Sequence, residues 1–235
     1  MAKKPRITVL QTEEDVPLDR FEQWWIDAGL RLSIIELWHT DVPNLPAVGD
    51  GLVMLGGRMN ALADDKHPWL PKVKDLIADA FEIGTPILGI CLGHQVLADA
   101  LGGEVVVEAP QGSEFDAIDI EFLDGATDDP ALGPMARLGD GPVPLSHGDI
   151  VGELPAGATE LARSATYPNQ AFRLGSALGV QFHPEASPEL MQHWWDTEHG
   201  GHSTRMLDRM RQADERIAAS CRALAEGFAE QVRAS

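Results

Sequence analysis

Two short stretches carry residues whose types and spacing could attack a carbonyl carbon. In "GTPILGICLGHQ" (84–95) an apolar run gives way to a helical pattern at Cys91. In "GVQFHPE" (179–185) His183 closes a second apolar run, and Glu185 follows two residues on. A cysteine attacks as its thiolate, so it needs a base for its proton, and the base needs a group to hold its ring. The order Cys…His-x-Glu supplies all three.

The setting of the cysteine sharpens this reading. "GICLG" (89–93) has the small-x-nucleophile-x-small pattern of a nucleophile elbow, with cysteine at its centre. A strand entering a helix through so tight a turn projects the central side chain, and glycines two residues away on either side avoid a clash. The helix that begins after Cys91 offers free N–H groups and a positive dipole end, which favour a thiolate and make the Leu92 N–H an oxyanion donor. A cysteine merely buried at a strand–helix turn is the plain alternative for this motif taken alone. For His183 and Glu185, an extended path through Pro184 is expected, because residues i and i+2 of a strand point to one side. Glu185 would then hold the imidazole in one tautomer and stabilise its charged form. The other thiol, Cys221, lies on a stripe with Met210, Ala213, Ile217, Leu224 and Phe228, and reads as helix packing.

The elements that must position these groups can be traced from the apolar pattern. Strands are expected at 6–10, 31–37, 51–55 and 86–90. Between them fall a helix in "PLDRFEQWWIDAG", with Leu18, Phe21 and Trp25 on one face, and a second over 69–81. "HQVLADALGG" is a third helix. Strands alternating with helices argue for a parallel sheet covered on both faces. Further short strands follow at 117–122, 143–146, 159–164, 170–174 and 177–182. From Pro188 the chain reads as helical, ending in a long amphipathic helix from about Ser203. "LDGATDDPALGPMARLGDGP" (123–142) reads as an acidic surface loop. One domain over 1–235 is expected, with 186–235 as a C-terminal helical extension.

Composition narrows the partners. The 235 residues carry a net charge of −19, from 18 basic and 37 acidic side chains, which argues against nucleic acid or an anionic membrane. Hydrophobic residues make up 44%, enough for a sizeable core. No signal peptide or membrane-length apolar run is evident, and two thiols do not make a disulfide framework, so a cytoplasmic setting and a small-molecule substrate are expected.

"GICLGHQ" and "GVQFHPE", with "GGRMN" (56–60), "SHGD" (146–149) and "LPAGATELARS" (154–164), resemble the class I (triad) glutamine amidotransferases, most nearly the amidotransferase domain of GMP synthetase and its stand-alone relatives. The resemblance implies an α/β fold: a flavodoxin-like open, mostly parallel sheet with helices on both faces, plus the C-terminal helices. It implies hydrolysis of the side-chain amide of glutamine through a cysteinyl thioester, without metal or cofactor, the ammonia passing to a separate synthetase. Nucleophile, base and orienting acid fall on Cys91, His183 and Glu185. The second oxyanion donor falls on the backbone of Gly57, beside that of Leu92. A glutamine-contacting side chain falls on Gln95, and Ser146, His147, Gly148 and Asp149 would read the amino-acid head of the substrate. Two features depart from the family pattern. Arg58 stands where many relatives have proline, and no "GxxxxGK" is present for nucleotide amination.

Other readings fit less well. A dienelactone-hydrolase-like enzyme also uses a cysteine elbow, but its fold places the acid between nucleophile and histidine. His193, Asp196, His199 and His202 in "HWWDTEHGGH" crowd together without an established ligand spacing, which reads as a polar helix end rather than a metal site. A non-catalytic binding protein has no use for all three reactive groups. A free-standing γ-glutamyl peptidase or hydrolase with the same triad remains the alternative function.

Overall fold

In a computed structural model that describes residues 4–235, the apolar runs pair into one nine-stranded sheet. In chain order the strands are β1 (Arg6–Gln11), β2 (Arg31–Glu36), β3 (Gly51–Met54), β4 (Ile87–Ile90), β5 (Glu104–Val106), β6 (Glu114–Phe122), β7 (Gly141–His147), β8 (Ile150–Glu153), β9 (Thr159–Ser164), β10 (Ala171–Leu174) and β11 (Ala177–Val180). The helices are α1 (Arg20–Asp27), α2 (Trp69–Glu82), α3 (Leu92–Ala100), α4 (Gly133–Ala136), α5 (Pro188–His199) and α6 (Thr204–Ala234).

The sheet has two halves. Strands β2-β1-β3-β4-β11 are parallel, and β3, β4 and β11 are buried at every position. Continuous apolar strands of this kind belong to a sheet covered on both faces, as the sequence pattern implied. From β11 the chain order reverses: β10, β9, β6 and β7 extend the sheet antiparallel. This second half carries the start of β6 and the end of β7 to the same edge as the C-terminal ends of β4 and β11. A separate ribbon of β5 and β8 was not evident in the sequence, because neither strand is long enough to show a period.

The helices bury the faces expected of them. Leu18, Phe21 and Trp25 are buried, and the Trp25 Nε1–H donates to the Ala225 carbonyl at 3.0 Å, fastening α1 to α6. The stripe of α6 faces inward at Met210, Ile217, Cys221, Leu224 and Phe228. Cys221 is fully buried and its thiol is pushed up to about 12 by that burial, so it packs and does not react. Among the described residues no helix is long and apolar enough to cross a membrane.

The segment 123–142 is not the acidic surface loop expected of it. It folds into a 3₁₀ turn and α4, burying Ala126, Ala131, Leu132 and Met135. Its chain passes so near α6 that a Cβ on Gly227 would lie 2.3 Å from the Ala131 carbonyl oxygen. Asp129 organises the turn from inside: its Oδ1 accepts from the N–H groups of Ala131 and Leu132 at 2.9 and 2.7 Å. Arg173 on β10 grips both its oxygens at 2.7 Å. Burial opposes the charge on Asp129, but Arg173 outweighs it and holds the carboxyl below its ordinary range. Asp129→Ala, which leaves Arg173 without its partner, is expected to lower the unfolding free energy by about 3 kcal/mol in urea titration.

Candidate active site

Strand β4 enters helix α3 through a single residue, Cys91, at φ 52° and ψ −105°. Non-glycine residues seldom occupy this region, and holding one there costs about 1–3 kcal/mol. The sheet and helix impose it from both sides. The Cys91 N–H donates to the Val180 carbonyl at 2.9 Å, and its own carbonyl accepts from Gln95 N–H at 3.1 Å. Both flanking glycines are required by close backbone approach. A Cβ on Gly89 would lie 2.4 Å from the Gly93 carbonyl oxygen, and one on Gly93 would lie 2.2 Å from that of Met54. The tight strand–helix turn expected from the glycine spacing is therefore present.

His183 and Glu185 also meet, but by a path other than the expected one. The His183 Nδ1 lies 2.8 Å from Glu185 Oε1, and both residues are buried. They are not on an extended segment. The Ala186 N–H donates to the His183 carbonyl at 3.1 Å, closing a turn with Pro184 and Glu185 at its corners. Proline's fixed φ suits the first corner of such a turn, which folds i+2 back toward i. Asp19 and Arg20 then hold the turn in place: Asp19 Oδ2 accepts from Ser187 N–H at 2.7 Å, and Arg20 N–H donates to the Glu185 carbonyl at 3.2 Å. Gly56 leaves room for the imidazole, since a Cβ there would lie 2.8 Å from His183 Cε1.

The electrostatics pick out one histidine. Burial opposes a charge on His183, but the negative charges of Cys91 and Glu185 outweigh it and push its pKa up to about 10. With Nδ1 engaged by Glu185, Nε2 is the nitrogen left for Cys91. His94, on the elbow helix itself, shows the opposite behaviour. It is wholly enclosed, packs on Phe172, and burial drives its pKa down to about 3, so it stays neutral.

These groups open on a cavity of about 280 Å³ lined by Gly57, Cys91, Gln95, Ser146, His147, Gly148, Asp149 and His183. Leu92 lies under the elbow with its side chain buried, and Glu185 stands behind His183 rather than in the cavity. The Cys91 Sγ is 3.5 Å from the Ser146 carbonyl oxygen. Gln95 donates from Nε2 to the Asp149 carbonyl at 2.9 Å and to Gln181 Oε1 at 3.2 Å, so its own carbonyl oxygen is the group left for a ligand.

A buried network behind this wall escaped the sequence. Glu114 is joined through Oε2 to His147 Nε2 at 3.1 Å and to Gln170 Nε2–H at 2.9 Å, and through Oε1 to the Ser164 hydroxyl at 2.8 Å. His147 Nδ1 in turn lies 3.1 Å from the Asp149 carbonyl that receives Gln95. Burial works against the Glu114 carboxylate, and its bonds to His147 and Ser164 keep it ionised nonetheless. Nothing in the sequence singled it out, since Glu114 lies three residues ahead of the strand expected at 117–122. The histidines of "HWWDTEHGGH" go separate ways: His199 stacks on Trp195 at 3.9 Å, His202 lies 3.3 Å from Asp196, and His193 lies 3.9 Å from Asp15.

An open α/β sheet with a cysteine elbow and a His–Glu pair at its C-terminal edge defines a class of thiol-dependent acyl-transfer folds. The chain matches the family "Glutamine amidotransferase class-I" over residues 27–196, and it belongs to that family. Among curated relatives, it is 37% identical over 159 residues to the glutamine-hydrolyzing GMP synthase of Helicobacter pylori, covering 68% of this chain and 28% of that protein. It is 40% identical over 121 residues to one subunit of the glutamine-hydrolyzing GMP synthase of Thermococcus kodakarensis, covering 51% of this chain and 56% of that one. The match thus spans under a third of the full-length GMP synthases. A glutamine amidotransferase from Thermotoga maritima shares the fold, with a TM-score of 0.85 at 24% identity over 97% of this chain and 99% of that one. Another from Methylobacillus flagellatus superposes with a TM-score of 0.83 at 25% identity, over 99% of this chain and 95% of that one.

The charge arrangement can be measured directly. In Cys91→Ala the sulfur's attraction is gone, and the His183 pKa is expected to fall from about 10 in an NMR titration, with Glu185 still in place. An unchanged value would mean that Glu185 alone sustains the imidazolium.

Proposed function

We propose that this protein hydrolyses the side-chain amide of glutamine to glutamate and ammonia, and that a separate synthetase uses the ammonia. The observation that carries this is the convergence of Cys91, His183 and Gln95 on one cavity, with Glu185 holding His183 from behind. Cys91 thiolate attacks the Cδ carbonyl of glutamine, and the developing oxyanion is held by the N–H groups of Gly57 and Leu92. His183, charged before the attack, gives its Nε2 proton to the departing nitrogen, and ammonia leaves as the thioester forms. The now neutral imidazole then takes a proton from water, whose oxygen attacks the thioester. Glutamate departs and the thiolate–imidazolium pair returns. Glu185 stabilises the charged ring and fixes its tautomer while it is neutral.

The rest of the cavity suits an amino acid. With its NH₂ committed, Gln95 can only accept, which fits the substrate's ammonium group. Ser146, His147, Gly148 and Asp149 form the facing wall that reads the amino-acid head, with Glu114 steadying His147 from behind. We take residues 1–235 as one amidotransferase unit, in which the extension 186–235 covers α1, α4 and the antiparallel strands. Support for a synthetase partner comes from relatives that are named as glutamine-hydrolyzing GMP synthases, one of them as a single subunit of such an enzyme. A free γ-glutamyl hydrolase is the second reading. One observation favours it: the loop at 56–60 is already held by side chains of this chain.

Steady-state hydrolysis of glutamine and of a γ-glutamyl dipeptide decides between the two readings. Efficient cleavage of the dipeptide with glutamine poor would remove the synthetase-partner reading. Cys91→Ala is expected to abolish hydrolysis with the fold intact, Cys221→Ala to leave it unchanged, and a glutamine-like electrophile to label Cys91 alone in mass spectrometry. Glu185→Gln should reduce kcat less than His183→Ala, since it weakens ring control while the base remains.

A further inference from the structure

The Gly57 N–H, an oxyanion donor in the proposed hydrolysis, takes its direction from a peptide flanked by two glycines. Such a peptide can turn over with little steric hindrance. We propose that Thr12 and the Arg58 ion cluster lock this peptide in its working orientation, so that hydrolysis does not wait for a partner. The inference rests on the glutaminase reading and concerns how its site is controlled.

The lock has two parts. Thr12, buried just past β1, donates its hydroxyl proton to the Gly56 carbonyl oxygen. That carbonyl and the Gly57 N–H belong to one planar peptide and point in opposite directions. Fixing one therefore aims the other. The fit is tight, because a Cβ on Gly57 would lie 2.7 Å from Thr12 Oγ1 and 2.9 Å from Leu92 Cδ2. Turning the peptide over would strip the buried Thr12 hydroxyl of its acceptor.

The second part holds the next peptide. The Arg58 N–H donates to Glu13 Oε2 at 3.4 Å, and its guanidinium bonds the same oxygen at 2.9 Å. The guanidinium also grips both oxygens of Asp15, at 3.1 Å from Nη1 to Oδ1, and its Nε lies 4.0 Å from Glu198 of α5. Asp15 is anchored in turn, since its carbonyl accepts from Trp194 Nε1–H at 2.7 Å. The Trp194 ring packs on His183 at 4.7 Å between centroids. One connected set of contacts thus runs from the oxyanion loop to the base. Arg58 is the cation that ties the loop to Glu13 and Asp15.

The test uses the purified full chain without any synthetase. In Thr12→Val, kcat for glutamine is expected to fall about 100-fold, the size of losing one oxyanion donor, with KM nearly unchanged. Thr12→Ser, which keeps the hydroxyl, should recover most of the rate. Alkylation of Cys91 by iodoacetamide, which forms no oxyanion, should proceed at the wild-type rate in both variants. In a crystal structure of Thr12→Val the Gly56 carbonyl should have turned from its wild-type direction. Wild-type kcat in Thr12→Val, a loss confined to KM, or an unmoved peptide would each overturn the lock. A wild-type protein silent alone but active with a synthetase overturns it too, while the glutaminase reading stands. If neither condition gives glutamine hydrolysis, that reading fails, and the direction of the peptide in Thr12→Val still decides the lock.

Discussion

The site depends on one steric constraint: β4 and α3 meet with no room for a side chain at the second residue on either side of Cys91. Gly93 presses against the backbone of β3 and Gly89 against the backbone of Gly93, so the helix starts almost on top of the sheet. The thiol is therefore lifted into the cleft at a backbone angle that is intrinsically unfavourable. Buried parallel strands on both sides absorb that cost. A looser junction would relax the angle and lose the direction of the sulfur.

Around this junction, charge is kept rather than avoided. His183 and Glu185 are enclosed as a pair, Glu114 is enclosed among three donors, and Asp129 is enclosed with Arg173. Each would be costly if left unpartnered, and each instead fixes a segment in one geometry. Glu114 holds the wall that faces the elbow, and Asp129 fastens the 123–142 segment to β10. The buried ionic groups thus position backbone, and the apolar core fills the space between them.

How much of this could be read from the sequence follows from range. The elbow was legible because its requirements fall within five consecutive residues, and the buried strands because continuous apolar runs have few other uses. The His183–Glu185 contact was legible although its expected path was not, since an extended segment and a proline turn both bring i near i+2. The fold of 123–142 was hidden because an acidic composition is normally a solvated surface, and its one decisive aspartate is bound to an arginine far along the chain. The Glu114 network was out of reach. Its members sit on β6, β7, β9 and the approach to β10, and only the antiparallel pairing brings them together.

The register of β11 against β4 has a further consequence. Ile90 lies opposite Val180, so nucleophile and base leave the sheet side by side, but the whole antiparallel half of the sheet is synthesised between them. Closing so long a stretch of chain is entropically slow compared with forming the local β–α units. The same strand that brings the base also supplies the Val180 carbonyl that accepts from the Cys91 N–H, so the elbow gains its second support and its base together. Nucleophile and base are thus tied to one event, the docking of β11 against β4, and a chain lacking that strand has neither a supported elbow nor a base.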